Sequence, residues 1–327
     1  MSPSRAKILL VNPTHPDGLA LLRRTCDVTC IRDTRPDILR PALADADIAI
    51  VRLRLPDDAF DHAPRLLGAI RHGAGVDLIP VEEATRHGIV VANVPGVNSN
   101  TVAEYCVAQM LNLSRGLIRI DSTLRTKGWE VARPMGEQAR DLSGKTAGIV
   151  GVGNIGGRLA EILHSAFRMT VLGHQRHLDA LPSYVTGCSL PDLFAQSDFV
   201  VLSCPLTSET KGLVSRELLA GVKPEACIIN VSRGAVIDDA ALIDALRAGR
   251  LGGAALDVFV EQPLPVNHPY YSLENVLLTP HLAGGSMDST RAISIRAAEQ
   301  ALQILAGKKP RHFYNPEVWE RARARRR

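Results

Sequence analysis

Short apolar runs alternate with amphipathic, helix-like segments along most of the chain. The runs are continuous in Val, Ile, Leu and Ala, which is typical of parallel strands that helices cover on both faces. The first series is AKILLV (6–11), DIAIVR (47–52), LLGAIR (66–71) and GIVVANV (88–94). The second series is TAGIVGVG (146–153), MTVLGH (169–174), DFVVLSCP (198–205), ACIINVS (226–232), GAALDVF (253–259) and NVLLTP (275–280). The pattern predicts two doubly wound α/β lobes.

Two longer segments have the spacing of amphipathic helices. The first, SNTVAEYCVAQMLNLSRGLIRI (99–120), offers Asn100 or Thr101 as a cap. It predicts one helix that carries the chain from the first lobe into the second. The other segment, DSTRAISIRAAEQALQILAG (288–307), follows the last predicted strand and stops at Gly307. We expect this helix to return to the first lobe, which makes that lobe discontinuous.

The amino-acid composition limits the class of protein and leaves the predicted strands and helices unchanged. The 327 residues are 46% hydrophobic and 22% charged, the balance of a soluble globular protein, and no apolar run is long enough for a membrane span. The N-terminus lacks the layout of a signal peptide, and the six scattered cysteines lack the spacing of a zinc site. We therefore expect a cytoplasmic protein with reduced thiols and no metal. The C-terminal RARARRR (321–327) accounts for the net charge of +4, and a solvated, frayed tail is favoured there over a nucleic-acid patch.

The segment GVGNIGGRLAEIL (151–163) carries the spacing G-x-G-x-x-G at Gly151, Gly153 and Gly156. It closes a predicted strand and opens a predicted helix, which is the context in which such glycines bind a dinucleotide. The first glycine permits a tight turn, the second lets the backbone approach a pyrophosphate, and the third lets helix and strand pack closely. Free N–H groups at the helix N-terminus would hold the phosphates. The alternative is a glycine-rich turn that binds nothing.

The tip of the next strand distinguishes the two nicotinamide dinucleotides. Sites that prefer NAD place an Asp or Glu about 20 residues further on, where it bonds the ribose 2′-hydroxyl. Here the strand ends MTVLGHQRHLD, with Gln175 and Arg176 at its tip and no acid there. Because a carboxylate would repel a 2′-phosphate and an arginine can bind it with a forked contact, the sequence favours NADP(H). A permissive site that also takes NAD is the alternative.

Polar residues follow three predicted strands of the second lobe, namely Arg233, the Glu261–Gln262 pair and His281. Ligands of open α/β sheets lie beyond the carboxyl ends of the strands. In the first lobe, loops 52–56 and 72–77 also follow strands, so we expect these groups to converge on one cleft between the lobes. An arginine there can bind a carboxylate and polarise a carbonyl. A histidine can exchange the proton that accompanies hydride transfer.

Several segments carry specific motifs: VNSNTVAEY (97–105), the glycine motif, NVSRGAVID (230–238), AALDVF (254–259) and LLTPHLAG (277–284). Together, and in this order over nearly the whole chain, they resemble the D-isomer-specific 2-hydroxyacid dehydrogenases. The resemblance implies an α/β fold with two parallel-sheet domains. A Rossmann dinucleotide-binding domain (99–283) would be inserted into a discontinuous, flavodoxin-like substrate domain (1–98 and 284–327). It also implies a homodimer formed through the Rossmann domains.

The resemblance assigns roles to individual residues. Arg233 would bind the carboxylate and carbonyl of the substrate, and His281 would be the acid/base. Asp257 would bind the nicotinamide carboxamide. The other cofactor contacts are assigned to Asn154 and Ile155 at the pyrophosphate, to Cys204 and Pro205 at the adenine, and to Val102. The other substrate contacts are assigned to the backbone N–H groups of Gly73, Ala74 and Gly75, to Arg52 near the far end of the substrate, and to Asn98.

The segment DVFVEQPLP (257–265) places Glu261 and Gln262 side by side before Pro263. In the family the third catalytic residue is a Glu directly before Pro, paired with the histidine, and that position is Gln262 here. Glu261 lies one residue earlier, which in an extended segment turns its side chain to the opposite side. We therefore expect Gln262 to face His281. A neutral amide orients the ring without favouring imidazolium, so reduction should fade at a lower pH than with a carboxylate.

The leading hypothesis is an NADP(H)-preferring reductase of small 2-keto acids such as glyoxylate or hydroxypyruvate. Arg52, Arg54 and His72 would tolerate an anionic or hydroxylated tail on the substrate. Formate dehydrogenases also carry a Gln before Pro, so formate oxidation is one alternative. A non-enzymatic nucleotide-sensing dimer, like the transcriptional corepressors of this fold, is another. Arg233 and His281 in their motifs favour the enzyme over a capping arginine and a packed histidine.

Overall fold

The computed structural model describes residues 5–325, which form two compact units. Unit 2 is the continuous stretch Ser99–Gly285, and unit 1 combines the chain before Ser99 with the chain from Ser286 onward. Unit 2 is thus inserted into unit 1. The second boundary follows Gly285, whereas the family resemblance implied a boundary after residue 283.

Both units alternate strands and helices. The strands are β1 (Ala6–Val11), β2 (Cys26–Ile31), β3 (Ile48–Val51), β4 (Gly68–Arg71), β5 (Val90–Ala92), β6 (Thr146–Val150), β7 (Thr170–His174), β8 (Thr186–Gly187), β9 (Phe199–Leu202), β10 (Cys227–Asn230), β11 (Gly253–Leu256) and β12 (Val276–Leu278). The α-helices are α1 (Pro16–Arg23), α2 (Pro36–Ala44), α3 (Val81–Arg86), α4 (Ser99–Arg115), α5 (Leu117–Lys127), α6 (Trp129–Ala132), α7 (Asn154–Phe167), α8 (Leu190–Gln196), α9 (Arg216–Ala220), α10 (Asp239–Arg247), α11 (Met287–Leu305) and α12 (Trp319–Arg325). No helix among the described residues is long and apolar enough to cross a membrane.

Unit 2 is built on a seven-stranded parallel sheet in the order β12-β11-β10-β9-β6-β7-β8. Numbered within the unit, the central order is 3-2-1-4-5-6, that of the Rossmann fold, with one further strand at the edge. The register aligns the carboxyl ends of neighbouring strands. The last residues of neighbouring strands are register partners. In order across the sheet they are His174, Val150, Leu202, Asn230, Leu256 and Leu278. The loops that follow these strands therefore all leave from the end of the sheet where the carboxyl ends of the strands lie.

Unit 1 contains a five-stranded parallel sheet in the order β2-β1-β3-β4-β5, which is the flavodoxin-like order. Helix α11 returns to this unit, as predicted, and its Ile293 and Ala297 join the apolar core beside Ile8. The sequence pattern missed β2. Its sequence CDVTCI buries only Cys26 because β2 lies at the sheet edge, so the strand lacks the continuous apolar run of the inner strands.

Each sheet is covered on both faces, as the continuous apolar runs require. In β1, Ile8 and Leu10 pack into one apolar cluster, whereas Leu9 and Val11 pack into another. Successive residues of β6 divide in the same way between two clusters of unit 2. Each buried Ile or Leu stabilises the fold by about 1.5–3 kcal/mol. The sheets are therefore rigid supports for the loops at their ends.

The segment predicted as one helix over 99–120 is two helices. Gly116 separates α4 from α5 and has a φ of +64°, in the left-handed region that glycine adopts without a Cβ clash. Among the residues of α5, all of which are described, none is buried. The prediction was wrong because Leu117 and Ile118 continue the apolar spacing although both are half exposed, at 51% and 55%.

The basic C-terminal segment is helical as far as Arg325. Trp319 at the start of α12 packs into the core of unit 1. Arg321 donates to the carbonyl oxygen of Thr85 (2.7 Å), and Arg325 donates to that of Pro64 (2.8 Å). The expected frayed tail is therefore wrong for these residues, and residues 326–327 lie outside the described part of the chain.

Candidate active site

The aligned strands bring the predicted site residues of unit 2 together at the carboxyl ends of its sheet. The loops at this end of the sheet carry Gly151, Gln175, Cys204, Arg233, Asp257 and His281. Open α/β sheets bind their ligands at the carboxyl ends of the strands. Candidate cofactor-binding and catalytic groups are thus assembled within a single unit.

The glycine motif spans the turn between β6 and α7 and the first turn of α7. Each glycine is needed there for a different physical reason. Gly151 has a φ of +92°, and a Cβ there would lie 2.7 Å from the backbone of Cys204. A Cβ on Gly156 would overlap the carbonyl oxygen of Gly151, so helix and strand could not pack this closely. At Gly153 no described atom lies within 4 Å of the Cβ position. This open side leaves space for a pyrophosphate beside the N–H groups of α7, so the residues present fit a dinucleotide.

A cavity of about 440 Å³ lies beside this turn. Its wall includes Gly151 and Gly153 of the motif, Gln175 and Arg176 after β7, and Cys204 and Pro205 after β9. Residues predicted to meet the pyrophosphate, the ribose and the adenine therefore share one cavity of unit 2. Glu209 contributes a carboxylate to the same wall. Burial raises the pKa of the Cys204 thiol, so this part of the wall stays neutral.

Five of the residues assigned to the cofactor do not line that cavity, namely Gly156, Asp257, Asn154, Ile155 and Val102. Asn154 is exposed in the first turn of α7, and Ile155 is half-buried beside it. Val102 lies in α4 with 4% of its surface exposed and packs in the apolar core of unit 2. Val102 offers little surface to a ligand, and its assignment to the cofactor stays a prediction.

Arg233 follows β10 in a loop that buried polar groups fix. Asn230, which is 1% exposed, donates to the carbonyl oxygen of Arg233 (3.0 Å) and accepts from the N–H of Ser232 (3.0 Å). The Arg233 guanidinium donates to the carbonyl oxygen of Ser232 (2.7 Å). A Cβ on Gly234 would overlap the backbone of Phe259. The Arg-Gly pair is thus explained, because glycine lets the loop after β11 pass directly against the loop that carries the arginine.

The side chains of Gln262 and His281 are hydrogen bonded, with 2.9 Å between Oε1 and Nδ1. Nε2 of Gln262 donates to the carbonyl oxygen of Phe259 (3.3 Å), which fixes the end of the amide that faces the histidine. Because an amide oxygen only accepts, Nδ1 of His281 donates its proton to Gln262 in this bond. Gln262 rather than Glu261 contacts the histidine, which is the orientation that the position before Pro263 predicted.

Asp257 holds the turn in which His281 lies. The φ of His281 is +54°, a value uncommon for residues other than glycine. Its N–H donates to the carbonyl oxygen of Asp257 (2.9 Å). The Asp257 carboxylate, in a residue 2% exposed, accepts from the N–H groups of Leu282 (2.8 Å) and Ala283 (2.9 Å). These bonds maintain the strained turn. The role of Asp257 toward the nicotinamide stays a prediction.

Gln262 and His281 also line a cavity of about 550 Å³. The rest of its wall is largely apolar and consists of Phe259, Pro263, Leu264, Tyr271, Leu278, Thr279 and Pro280. Small-molecule sites have this character, with few polar groups in an apolar wall fixing the orientation of the ligand.

In unit 1, Arg71 braces the loop that follows β4. Its guanidinium donates to the carbonyl oxygens of His72 and Gly75, with 3.0 Å to Gly75. Asn93 donates to the carbonyl oxygen of Ala74 (2.6 Å). The N–H of Gly73 donates to the carbonyl oxygen of Arg71 (2.9 Å). Of the three N–H groups assigned to the substrate carboxylate, this one already has an acceptor.

The other residues of unit 1 assigned to the substrate differ in burial and charge. Arg52 is half-buried and donates to the carbonyl oxygen of Pro13. Asn98 is half-buried at the end of the first segment of the unit. His72 is 7% exposed, with Nε2 2.8 Å from Oγ of Ser294, and burial lowers its pKa to about 3. A neutral, buried His72 adds no positive charge for an anionic substrate, and its tolerance of a hydroxylated tail stays a prediction.

Two residues that position the site loops were not identified from the sequence. Arg71 is the last residue of β4, and Asn230 is the last residue of β10. Both are polar, both end a buried strand, and both stand directly before a candidate site loop. A polar side chain in that position must find partners nearby, and this is the signal that could have identified them.

Comparison with known proteins adds independent findings. The family model described as "D-isomer specific 2-hydroxyacid dehydrogenase, NAD binding domain" matches residues 107–283. The chain is 36% identical to glyoxylate reductase of Aeropyrum pernix, over 96% of this chain and 97% of that protein. It is 35% identical to glyoxylate/hydroxypyruvate reductase B of Pectobacterium carotovorum, over 97% and 99%. The structure of NADPH-dependent glyoxylate/hydroxypyruvate reductase of Sinorhizobium meliloti, in complex with NADP and malonate, is similar with a TM-score of 0.85 and 29% identity, over 96% and 98%.

Proposed function

The chain belongs to the D-isomer-specific 2-hydroxyacid dehydrogenase family and is an NAD(P)-dependent oxidoreductase, and we propose that it reduces small 2-keto acids such as glyoxylate or hydroxypyruvate. The observation that carries this proposal is the hydrogen bond between Gln262 and His281, at the same sheet edge as the glycine turn. It holds the imidazole in a fixed orientation, as an acid/base that exchanges a proton with a ligand requires.

His281 is the acid of the proposed reduction, and Arg233 binds the substrate. When bound, a nicotinamide dinucleotide would supply the hydride that the ketone carbon accepts. As the carbon–oxygen double bond becomes a single bond, Nε2 of protonated His281 gives its proton to the oxygen, leaving a neutral imidazole and a 2-hydroxy acid. Arg233 binds the substrate carboxylate and stabilises the negative charge that develops on the oxygen. Gln262 keeps the ring oriented through Nδ1.

NADP(H) is the preferred cofactor in this proposal, with NAD(H) accepted less well. Gln175 and Arg176 line the cavity beside the glycine turn, in the place where an acid would repel a 2′-phosphate. Glu209, the carboxylate on that wall, belongs to the loop after β9 and not to the tip of β7. The positive charge at the tip of β7 therefore supports NADP(H).

In unit 1, the backbone of residues 73–75 and Arg52 are the proposed substrate-binding groups. Arg71 and Asn93 fix this backbone, which supports a binding role because a preordered loop loses little entropy when a ligand binds. Arg52 is half-buried, and there an anionic group is attracted more strongly than at the surface. With the charge of Arg52 and a neutral His72, this part of unit 1 suits a substrate with a small anionic or hydroxylated tail.

A homodimer formed through unit 2 is the proposed assembly. Apolar side chains are exposed on α5 and α6, namely Leu117, Ile118, Leu124, Trp129 and Val131. An apolar surface on helices with so little burial is typical of a protein–protein interface. Analytical ultracentrifugation should show a dimer for the native protein and a monomer for Ile118→Asp. A native protein that sediments as a monomer would overturn the proposed assembly.

The proposed function is tested by following the oxidation of NADPH and of NADH with glyoxylate, hydroxypyruvate and pyruvate. We expect turnover of the keto acids, with kcat/KM for NADPH about tenfold or more above that for NADH. Formate oxidation without keto-acid reduction would replace the proposal with a formate dehydrogenase activity. Tight cofactor binding without any turnover would favour a nucleotide-sensing protein.

A further inference from the structure

We infer that Tyr105 is a positioning residue for His281 and acts through Thr279 and Asp257. The inference rests on the proposed role of His281 as the acid/base, and it adds a residue of α4 that the proposed reaction does not include. Tyr105 and Thr279 are 174 residues apart in the sequence, and both belong to unit 2.

A chain of hydrogen bonds runs from α4 to the loop after β11. The Tyr105 hydroxyl lies 2.6 Å from Oγ1 of Thr279, which in turn lies 2.7 Å from Oδ1 of Asp257. An ionised carboxylate has no proton to give, so Thr279 donates to Asp257. A hydroxyl has only one proton, so Thr279 must accept from Tyr105. The direction of the chain is thereby fixed, and aligned bonds of this kind strengthen one another.

The chain ends on the carboxylate that fixes the histidine turn. Oδ1 of Asp257 also accepts from the N–H of Leu282, and Oδ2 accepts from the N–H of Ala283, so both residues after His281 are bound to it. The N–H of His281 itself lies within bonding distance of the carbonyl oxygens of Asp257 (2.9 Å) and Thr279 (3.0 Å). A shift of Thr279 or of the Asp257 carboxylate would therefore move the imidazole.

Tyr105 has the properties of a fixed donor. Its ring packs against the apolar core that contains Cys106 and Met110 of the same helix. Burial raises the pKa of its hydroxyl to about 12, so the group remains protonated throughout the working range of an enzyme. The hydroxyl therefore donates to Thr279 without acting as a proton relay. A half-buried tyrosine hydroxyl loses part of its hydration, and Thr279 supplies an acceptor in place of water.

The test compares Tyr105→Phe, Thr279→Val and the double variant, each of which removes a hydroxyl and keeps the side-chain shape. The kcat and KM for glyoxylate and the Kd for NADPH are measured at equal concentrations of cofactor-binding sites. We expect kcat to fall about 3- to 10-fold in Tyr105→Phe and about 10- to 100-fold in Thr279→Val, with KM and Kd within about twofold. The double variant should match Thr279→Val, because Tyr105 acts only through Thr279.

Two control variants separate positioning from general stability. Thr279→Ser keeps the hydroxyl and should retain kcat within about twofold of the native value. Tyr184→Phe alters a tyrosine of the same unit that stacks on His164 at 5.2 Å, and its kcat should be unchanged. An unchanged kcat in Tyr105→Phe would overturn the inference, and so would effects of the two hydroxyls that multiply in the double variant.

The experiment also distinguishes failure of the inference from failure of the proposed function. If the native protein reduces no keto acid, the proposed function fails before any variant is compared. If Tyr105→Phe does not accumulate as folded protein, the inference is tested by comparing the kcat of Thr279→Val with that of Thr279→Ser. Equal kcat values for those two variants would overturn the inference, because the hydroxyl would then have no influence on the chemical step.

Discussion

Oε1 of Gln262 lies 2.9 Å from Nδ1 of His281, so an amide orients the candidate acid/base where the family pattern has a carboxylate. The amide nitrogen donates to the carbonyl oxygen of Phe259. A carboxylate at residue 262 would face that oxygen with no proton between them. The local backbone therefore suits glutamine, which orients the ring without adding a negative charge.

Replacing Gln262 by Glu should extend keto-acid reduction to higher pH. The new carboxylate favours the imidazolium form of His281, so the proton donor persists as the pH rises. Because residue 262 is exposed, solvent weakens the effect, and we expect the alkaline limb of the kcat/KM profile to move up by roughly 0.5–1 pH unit. Glu261→Gln changes the neighbouring exposed side chain and should leave the profile in place. Superimposable profiles for the native protein and Gln262→Glu would contradict the assigned contact.

Replacing Arg176 by Ala should remove the preference for NADP(H). A charge-assisted contact to a 2′-phosphate is worth about 1.5–3 kcal/mol, so kcat/KM for NADPH should fall about 10- to 100-fold while the value for NADH stays within about twofold. Arg250→Ala removes the same charge from the turn between α10 and β11 and serves as the matched control. Equal losses with both cofactors would show that Arg176 does not read the 2′-phosphate.

Replacing Gly234 by Ala should damage both stability and activity. The added Cβ would overlap the backbone of Phe259 and Val260, so the loops that carry Arg233 and Gln262 must separate. We expect the free energy of unfolding in urea to fall by about 2 kcal/mol or more and kcat to fall with it. Gly157→Ala is the control, because the nearest atom to its Cβ is 3.9 Å away and α7 accepts alanine well. An undiminished stability of Gly234→Ala would refute the close approach of these loops.

His72 should make unit 1 sensitive to acid. Its pKa is about 3 in the folded protein and about 6.5 in the unfolded chain, so only the unfolded chain binds the proton between these values. The resulting stability is complete above pH 6.5 and is lost as the pH falls toward 3. When the pH is lowered from 7.5 to 4.5, the free energy of unfolding should fall in both proteins. The fall should be about 2–3 kcal/mol smaller for His72→Gln than for the native protein.

The control for this titration is His164→Gln, which removes an exposed histidine from α7. Free energies of unfolding are compared at the two pH values for each protein, so a change that is the same at both pH values cancels. If His72→Gln loses as much stability on acidification as the native protein does, His72 is not the buried neutral group described above.

The fold could be predicted because buried parallel strands leave a continuous apolar signal, and the glycine turn could be predicted because its geometry excludes other residues. β2 escaped detection because an edge strand such as CDVTCI need not be apolar on both faces. The break at Gly116 escaped detection because exposed Leu117 and Ile118 imitate the spacing of a core helix. In both cases the sequence shows only which side chains are apolar. The structure depends on whether other residues pack over those side chains.

The candidate site was predictable where a residue follows a strand end and not where a contact links distant parts of the chain. Arg233, Gln262 and His281 each stand in a local motif. The bond between Tyr105 and Thr279 joins α4 to the loop after β12 across 174 residues, and the motifs in which the two residues lie do not indicate that they are in contact. The neutral state of His72 depends on its burial in the folded unit, which the sequence alone does not reveal.

The most direct test of the central claim is the rate of glyoxylate reduction by His281→Asn at saturating NADPH. Asparagine tolerates the left-handed backbone of this position, where φ is +54°, so the turn should be retained. We predict a fall in kcat of about 10²- to 10⁴-fold with the Kd for NADPH within about twofold, because only the proton donor is lost. A kcat within about threefold of the native value would contradict the assignment of His281 as the acid/base.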